Sequence, residues 1–144
     1  MLRTVAVGTD GSETASRAVE VALDLAERYR ARVVVGSAYR PVSESRLRVE
    51  QEDAPEDIQW AINPAEDVDA ILRSVEERAQ ERGLKTSSDA RMGRPADVLC
   101  EIAAEHEADL LVVGSKGMQR RLLGSVPNTV SHSAPCSVMI VKTA

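Results

Sequence analysis

The chain has 144 residues, a net charge of -5 and a pI near 5.1. This length fits one domain with a sizeable core, and the acidic balance argues against a nucleic-acid backbone as the main partner, because that contact needs clustered basic groups. Phe is absent, and aromatic residues make up 2% of the chain. The interior must therefore consist of Val, Leu, Ile and Ala, which favours an α/β protein with a sheet covered by helices.

The sequence also predicts the number of domains and the cellular location of the protein. Residues 1–144 are predicted to form one domain, and the amino-terminal segment runs straight into a strand without a signal-peptide core. No run approaches the ~18 apolar residues that span a membrane. We expect a cytoplasmic protein with neither a membrane nor a nucleic acid as its partner.

Two short apolar runs predict the first two strands, TVAVG at 4–8 and VVVGSA at 33–38. Between them the apolar spacing changes to that of an amphipathic helix, with Ser12 at the position of an N-cap. The residues expected on its buried stripe are Ala15, Ala18, Val19, Ala22, Leu25, Ala26 and Tyr29.

Residues 40–62 form an acidic connection, punctuated by proline, that is longer than usual between a strand and a helix. Two interpretations stay open for it. It could close over a ligand as a lid, or it could be an exposed, partly helical insertion that Trp60 holds against the body of the domain.

The second half of the chain repeats the alternation of strands and helices. A capping signature at Asn63, Pro64 and Glu66 opens a second helix, whose apolar stripe begins at Val68 and which ends before Gly83. The remaining elements are a weak strand near 84–91, a helix from Pro95, a strand at 110–114, a helix from near Ser125 with Pro127 in its first turn, and a strand at 137–141. This alternation implies parallel βαβ units with right-handed crossovers.

Parallel sheets of this kind bind ligands beyond the carboxyl ends of their strands, where the strand order reverses. The first strand ends at Gly8, before Thr9 and Asp10, and the fourth ends at Gly114. If these two strands are neighbours, both loops face one crevice.

The stretch LLVVGSKGMQRRLLGSV, residues 110–126, carries the strongest sign of a ligand. Spaced glycines at Gly114, Gly117 and Gly124, followed by Ser125 as an N-cap, form a loop in which backbone amides and a helix N-terminus can hold a phosphate. Glycine allows positive φ and lets the backbone approach an anion closely. The alternative is an ordinary turn, since the chain has neither a Walker loop nor a dinucleotide fingerprint.

Neither the cysteines nor the histidines indicate chemistry. Cys100 and Cys136 lack the spacing of a metal knuckle or a redox pair and are expected to be buried thiols. His106 and His132 are isolated, without the cluster that a metal or catalytic site needs. No metal site and no catalytic residue is therefore predicted.

Several motifs together resemble one known family: GTDGS after the first strand, RMGRPADVL in the middle, then GSKG, LLGSV and SVMIVK. The resemblance is to the universal stress protein family, and it covers nearly the whole chain. It implies a doubly wound, five-stranded, mainly parallel sheet of order 3-2-1-4-5 with helices on both faces. Many members bind ATP through a Gly-x2-Gly-x9-Gly-[Ser/Thr] signature after the fourth strand.

The resemblance assigns nucleotide-binding positions to this chain. Phosphates would meet Gly114, Gly117, Gly124 and Ser125, with Val126 next at the helix start. Base and ribose would lie against or beside the remaining set, which is Gly8, Thr9, Asp10, Ala38, Met92, Gly93 and Val113. Asp10 also has a plainer explanation, because Asp-Gly is a strong turn former by itself.

One part of the signature departs from the family. Only six residues separate Gly117 from Gly124, three fewer than in the family pattern. Three residues are slightly less than one helical turn of 3.6, so a short turn could be missing while the two leucines before Gly124 still face the core, with a narrower opening for phosphate. Arg120 and Arg121 could add positive charge for phosphate, although such residues are more often solvated.

The function that this resemblance implies is binding of ATP or a smaller adenine nucleotide, AMP or cyclic AMP, as a signal in a stress response. Mg²⁺ could accompany ATP. Only Asp10 and Ser125 lie near enough to serve hydrolysis, so any ATPase activity is expected to be slow and incidental. The shortened loop favours a ligand with fewer phosphates than ATP.

Two other interpretations stay open. The chain could be a nucleotide-free interaction protein of the same fold, and the shortened loop is the feature in favour of this. A receiver-type phosphoacceptor domain would need a phosphorylatable Asp at the end of the third strand, for which Asp89 is poorly placed. Because the family's dimers commonly use the last strand, a homodimer through residues 137–141 is expected.

Overall fold

The computed structural model describes residues 2–39, 65–115 and 126–142, which form five strands and four helices. The strands are β1 Thr4–Gly8, β2 Arg32–Tyr39, β3 Thr86–Met92, β4 Leu110–Gly114 and β5 Ser137–Val141. The helices are α1 Glu13–Tyr29, α2 Ala65–Glu81, α3 Pro95–Glu105 and α4 Val126–Ser133. The predictions for residues 40–62, for the cap at Asn63 and Pro64, and for Ser125 lie outside the described residues.

The strands form one parallel sheet with the order β3-β2-β1-β4-β5, as the resemblance implied. β1 lies at the centre, with Thr4 beside Arg32 of β2 and Val5 beside Leu110 of β4. The chain first adds strands on one side of β1 and then on the other. The order therefore reverses between β1 and β4, which is where sheets of this type form a ligand crevice.

Two helices cover each face of the sheet, because successive side chains of a strand point to opposite faces. One core lies under α1 and α2 and includes Val5 and Val33. The other lies under α3 and α4 and includes Ala6, Val34 and Leu111. Burial on both faces explains the almost continuous apolar sequences of the central strands.

Helix α1 departs from its predicted stripe at two positions. Its N-cap is as predicted, since Ser12 Oγ accepts a hydrogen bond from the Ala15 N–H at 3.1 Å. Leu23, which the stripe omitted, is fully buried, whereas Tyr29 is 50% exposed. A helix that packs on a sheet buries a wide face, and Tyr29 is its last residue, directly before the turn at Arg30.

The three longest described helices end in the same way, at the amino edge of the sheet. In each, an N–H beyond the last turn donates to a carbonyl five residues earlier: Ala31 to Ala26 at 2.9 Å, Leu84 to Ala79 at 3.0 Å and Ala108 to Ala103 at 2.9 Å. The residue before that donor has a positive φ, 56° at Arg30, 74° at Gly83 and 52° at Glu107. These are Schellman-type ends, and Gly83 is the terminator that the sequence predicted.

The cysteines are less buried than predicted. Cys100 lies on α3 between the buried Leu99 and the exposed Glu101, and Cys136 lies directly before the edge strand β5, so both residues are partly exposed. Partial burial nevertheless raises the pKa of each thiol.

Candidate functional site at the carboxyl edge of the sheet

The carboxyl ends of β1 and β4 are neighbours, as the predicted crevice requires. Val7 pairs with Val112, which places Gly8 beside Val113, with Gly114 directly after it. The turn after β1 and the glycine loop after β4 therefore leave the sheet from adjacent strands.

Thr9 is held in place by β2. Its N–H donates to the Gly36 carbonyl at 3.0 Å, and its carbonyl accepts a hydrogen bond from the Ser37 hydroxyl at 2.7 Å. Only 3% of Thr9 is exposed. The residue is thus part of the framework that positions the turn, a role that the sequence did not indicate.

Asp10 forms the turn that its Asp-Gly sequence suggested. Its Oδ1 accepts the Ser12 N–H at 2.9 Å, while the Gly11 N–H donates to Thr9 Oγ1 at 3.1 Å. Gly11 has a φ of 82°, and a Cβ there would lie 2.7 Å from Ile71 of α2. These contacts account for Asp10 and Gly11 as turn residues, and contact between Asp10 and a ligand stays a prediction.

Gly8 has a packing role that the sequence did not reveal. It lies beside Gly36 of β2, and both face α3. A Cβ on Gly8 would lie 2.5 Å from Leu99 Cδ1, and one on Gly36 would lie 2.8 Å from Ile102 Cδ1. The two neighbouring glycines let α3 approach the sheet closely near its carboxyl edge.

Three of the residues predicted to lie near the base are found farther along the same edge, at the ends of β2 and β3. Ala38 is buried and pairs with Arg91. The Gly93 N–H donates to the Tyr39 carbonyl at 3.1 Å. Met92, the last residue of β3, is 62% exposed. Among the three, Met92 is the one that presents a large apolar side chain to solvent.

The positions predicted at the end of β4 and beyond it fall into two groups. Val113, which is 3% exposed, and Val126, the first residue of α4, pack their side chains against the core under α3 and α4. Val113, predicted to lie near the base, and Val126, predicted to lie near the phosphates, can therefore meet a ligand through the backbone only. Gly114 is the last residue of β4. The other predicted positions lie outside the described residues: Gly117, Arg120, Gly124 and Ser125.

A cavity of about 350 Å³ lies next to the turn after β1, between α1 and α2, and sequence reasoning missed it. Its polar lining consists of Thr9, Ser12, Ser16, Ser74 and Arg78. Arg78 donates to Ser16 Oγ at 3.4 Å and forms an ion pair with Glu20. The available signal was spacing, because Ser12 and Ser16, like Ser74 and Arg78, are four residues apart and share a helix face.

His106 belongs to a charged cluster between β3 and α3. Its Nε2 lies 2.9 Å from Asp89 Oδ2, and Arg91 donates to both oxygens of the same carboxylate at 2.9 and 2.8 Å. Arg91 also pairs with Glu105 of α3. Its hydrogen bonds, aided by those of His106, hold the pKa of Asp89 below the ordinary value despite partial burial. The cluster ties β3 to the end of α3. Asp89 lies in the middle of β3, whereas a receiver-type phosphoacceptor would lie at the end of this strand.

Two kinds of feature are absent from the part of the chain that the structure describes. Within residues 2–39, 65–115 and 126–142, no three His, Cys, Asp or Glu side chains are grouped so that they could hold a metal ion. None of the helices in these ranges is long and apolar enough to cross a membrane.

Comparisons of the sequence with known proteins agree on one family. A model of the universal stress protein family matches residues 1–142. Universal stress protein Rv1636 of Mycobacterium tuberculosis (strain H37Rv) is 39% identical over 145 residues, which cover 98% of this chain and 97% of that protein. A universal stress protein of Thermus aquaticus is 32% identical over 145 residues, which cover 99% of this chain and 100% of that protein.

Solved structures are similar to this chain in both fold and sequence. The crystal structure of a universal stress protein in complex with cAMP has a TM-score of 0.76 and 38% sequence identity, and the match covers 99% of each chain. Sheet order, the family match over nearly the whole chain and these relatives lead to one conclusion. This chain belongs to the universal stress protein family.

Proposed function

We propose that this protein binds an adenine nucleotide between the turn after β1 and the glycine loop after β4, as a cytoplasmic signal in a stress response. One observation carries the proposal: a relative with 38% identity over 99% of each chain was solved in complex with cAMP. The adjacent ends of β1 and β4 support it, because doubly wound sheets bind ligands at such a point.

In this proposal the phosphate lies against main-chain N–H groups of the glycine loop. Gly114, Gly117 and Gly124 would let the backbone approach the anion, and Ser125 directly precedes α4 in the sequence, a helix whose N-terminus favours negative charge. Arg120 adds a guanidinium, which suits phosphate oxygens.

The base and ribose lie along the edge formed by β1, β2 and β3. Met92 is exposed there, and the neighbouring Ala38 and Gly93 leave room beside it because their side chains are small or absent. A soft, polarisable sulfur is a suitable neighbour for an aromatic base. Asp10 lies on the β1 side of this edge, where its carboxylate can reach the ribose.

The proposed ligand is AMP or cyclic AMP rather than ATP. Only six residues lie between Gly117 and Gly124, which leaves fewer main-chain N–H groups for a triphosphate than the longer family loop offers. Mg²⁺ would enter only together with ATP.

The protein is not an enzyme in this proposal, beyond slow and incidental hydrolysis. Hydrolysis of a phosphoanhydride needs a base that positions water and usually a metal ion held by carboxylates. Asp10 is the carboxylate in the turn after β1, and its Oδ1 already accepts the Ser12 N–H at 2.9 Å. The bound nucleotide is therefore expected to leave unchanged.

Calorimetry on protein freed of nucleotide tests the proposal, with cAMP, AMP, ADP and ATP as separate ligands. We expect AMP or cAMP to bind and ATP to bind more weakly. Absence of binding by all four at millimolar concentration would refute the proposal, and ATP binding tenfold tighter than both smaller ligands would refute the preference.

A matched pair of substitutions locates the site. We expect Gly117→Ala to weaken nucleotide binding by about tenfold, equivalent to one lost hydrogen bond to a charged group. Gly83→Ala makes the same chemical change at the opposite edge, where nothing lies within 4 Å of the new methyl group, and we expect it to leave the affinity unchanged. Equal effects of the two substitutions would place the ligand elsewhere.

A second candidate function is a nucleotide-free protein that acts through dimerisation, and the edge strand β5 favours it. Val138, Met139, Ile140 and Val141 are all only partly buried, and an edge strand offers unpaired ladder groups to a second copy. We propose a homodimer through this strand in either case. Light scattering at micromolar concentration measures the mass, and thermal unfolding with excess nucleotide separates the two functions, because a ligand of the native state must raise the apparent stability.

A further inference from the structure

A second cavity, of about 410 Å³, lies at the amino edge of the sheet, opposite the proposed nucleotide site. Its charged lining consists of five cations and one carboxylate: Arg3, Arg30, Arg32, Arg82, Lys85 and Glu27. The whole chain has a net charge of -5, so this cavity concentrates positive charge on an acidic protein.

Three of the cations form a row along the starts of adjacent strands: Arg3, Arg32 and Lys85. The Arg32 N–H donates to the Arg3 carbonyl at 3.0 Å, and the N–H of the following residue, Val33, donates to the Lys85 carbonyl at 2.9 Å. Neighbouring strands lie about 4.8 Å apart. These backbone contacts hold the three residues on neighbouring strands at one edge of the sheet, where a bound negative group would be stabilised by their charges.

Two of the five cations have partners within the protein. Arg82 pairs with Asp24 and with Glu27, the latter at 3.1 Å, so α1 largely neutralises it. Arg32 donates to two neutral oxygens, Thr4 Oγ1 and the His106 carbonyl, each at 3.1 Å, and keeps its positive charge.

The side chains of Arg3, Arg30 and Lys85 form no ion pair within the described part of the chain. Asp109 lies near Arg3, but its Oδ2 accepts the backbone N–H groups of Arg3 and Thr4 at 2.8 and 3.0 Å. The cavity therefore keeps an excess of positive charge.

The helix ends account for part of this charge only. Helices α1 and α2 end at this edge, and a helix C-terminus carries about half a negative charge, which cations favour. This explains Arg30 and Arg82, which follow those helices directly. Arg3, Arg32 and Lys85 do not directly follow a helix. The helix ends therefore do not account for the positive charge of this row.

We propose that the amino-edge cavity binds a small polyanion that carries two or three phosphate groups. Guanidinium groups form paired, charge-assisted hydrogen bonds with phosphate oxygens, and 410 Å³ is in the range of small-ligand sites. A concave site of this size selects a small molecule over an extended acidic polymer. This binding is separate from the proposed nucleotide function, because the two sites lie at opposite edges of the sheet.

Calorimetry and amide NMR with inorganic tripolyphosphate as the probe test this inference. The cavity variant is Arg3→Gln with Lys85→Gln. Its matched control is Arg17→Gln with Arg73→Gln, which removes two exposed cations elsewhere on the surface. We expect the cavity variant to bind at least about tenfold more weakly, the equivalent of one lost hydrogen bond to a charged group, and the control to bind like the parent.

Two further measurements make the result decisive. Tripolyphosphate should shift the amides of residues 30–32 and 82–85 and should not compete with AMP or cAMP. The inference is overturned if tripolyphosphate does not bind at low salt, if both double variants lose affinity equally, or if AMP or cAMP displaces it. Failure of nucleotide binding alone leaves these outcomes unaffected.

Discussion

The two edges of the sheet differ in which atoms can meet an anion. At the carboxyl edge, β1 and β4 end in glycines and helices begin, so main-chain N–H groups and helix N-termini are available. At the amino edge helices end, and the favourable charge comes from side chains, with Arg3, Arg32 and Lys85 on three neighbouring strands. A doubly wound fold thus supplies one anion-binding edge through its topology, whereas the opposite edge must gain that property through particular residues.

The largest expected effect concerns the close packing at the carboxyl edge. We expect Gly8→Val to lower the free energy of unfolding by about 3 kcal/mol, because its Cβ would lie 2.5 Å from Leu99 Cδ1. Urea unfolding measures the change. Gly8→Val combined with Leu99→Ala should cost less than the sum of the two separate losses, because the two residues contact each other. A Gly8→Val protein as stable as the parent would show that α3 does not require a glycine there.

The cluster between β3 and α3 is the next contribution to test. We expect Asp89→Asn to lower the free energy of unfolding by about 1–2 kcal/mol near neutral pH, where charge-assisted hydrogen bonds to Arg91 and His106 are lost. The exposed Asp69→Asn serves as the control in urea unfolding.

The pH dependence of this effect has a defined sign. The pKa of Asp89 is lowered in the folded protein from an ordinary value of 3.8. Its contribution is therefore complete above the unfolded value and is lost as pH falls through the lower folded value. Parent and Asp89→Asn should differ at pH 7 and converge below pH 3.8. A difference that persists in strong acid would contradict this explanation.

A smaller effect is expected at the helix ends of the amino edge. Glu107 and Gly83 hold equivalent positions after α3 and α2, with φ of 52° and 74°. Because glycine adopts this conformation without strain, Glu107→Gly should raise the free energy of unfolding by about 0.5–1 kcal/mol, and Gly83→Ala should lower it by about 1 kcal/mol. Thermal unfolding checks both, and changes of the same sign would contradict the assignment.

The smallest expected effect concerns Asp109, an exposed residue that joins the starts of β1 and β4. Its hydrogen bonds from the Arg3 and Thr4 N–H groups lower the pKa of its carboxyl from the ordinary value of 3.8. We expect Asp109→Asn to lower the melting temperature slightly at pH 7 and not at all in strong acid, since the benefit is lost as pH falls through the folded value. A scanning calorimeter can compare it with Asp69→Asn, and identical melting temperatures at pH 7 would contradict the proposed role.

Some misses in the prediction share a physical cause. Leu23 and Tyr29 depart from the predicted buried stripe. A periodic pattern locates the centre of a buried helix face, but it gives neither the width of that face nor the residue at which burial ends. The sequence pattern shows His106 as isolated because its partner, Asp89, lies on a strand that packs beside it only in three dimensions. The hydroxyl-lined cavity between α1 and α2 was missed for the same reason.

The sequence by itself determined the elements, the cap at Ser12, the terminator at Gly83 and, through its family motifs, the strand order. These features depend on local spacing or on motifs along the chain. Tertiary structure alone decided that Gly8 and Gly36 form a flat surface for α3 and that three cations from distant segments share one edge. Those outcomes depend on the register between strands, which brings residues far apart in sequence within a few ångströms of each other.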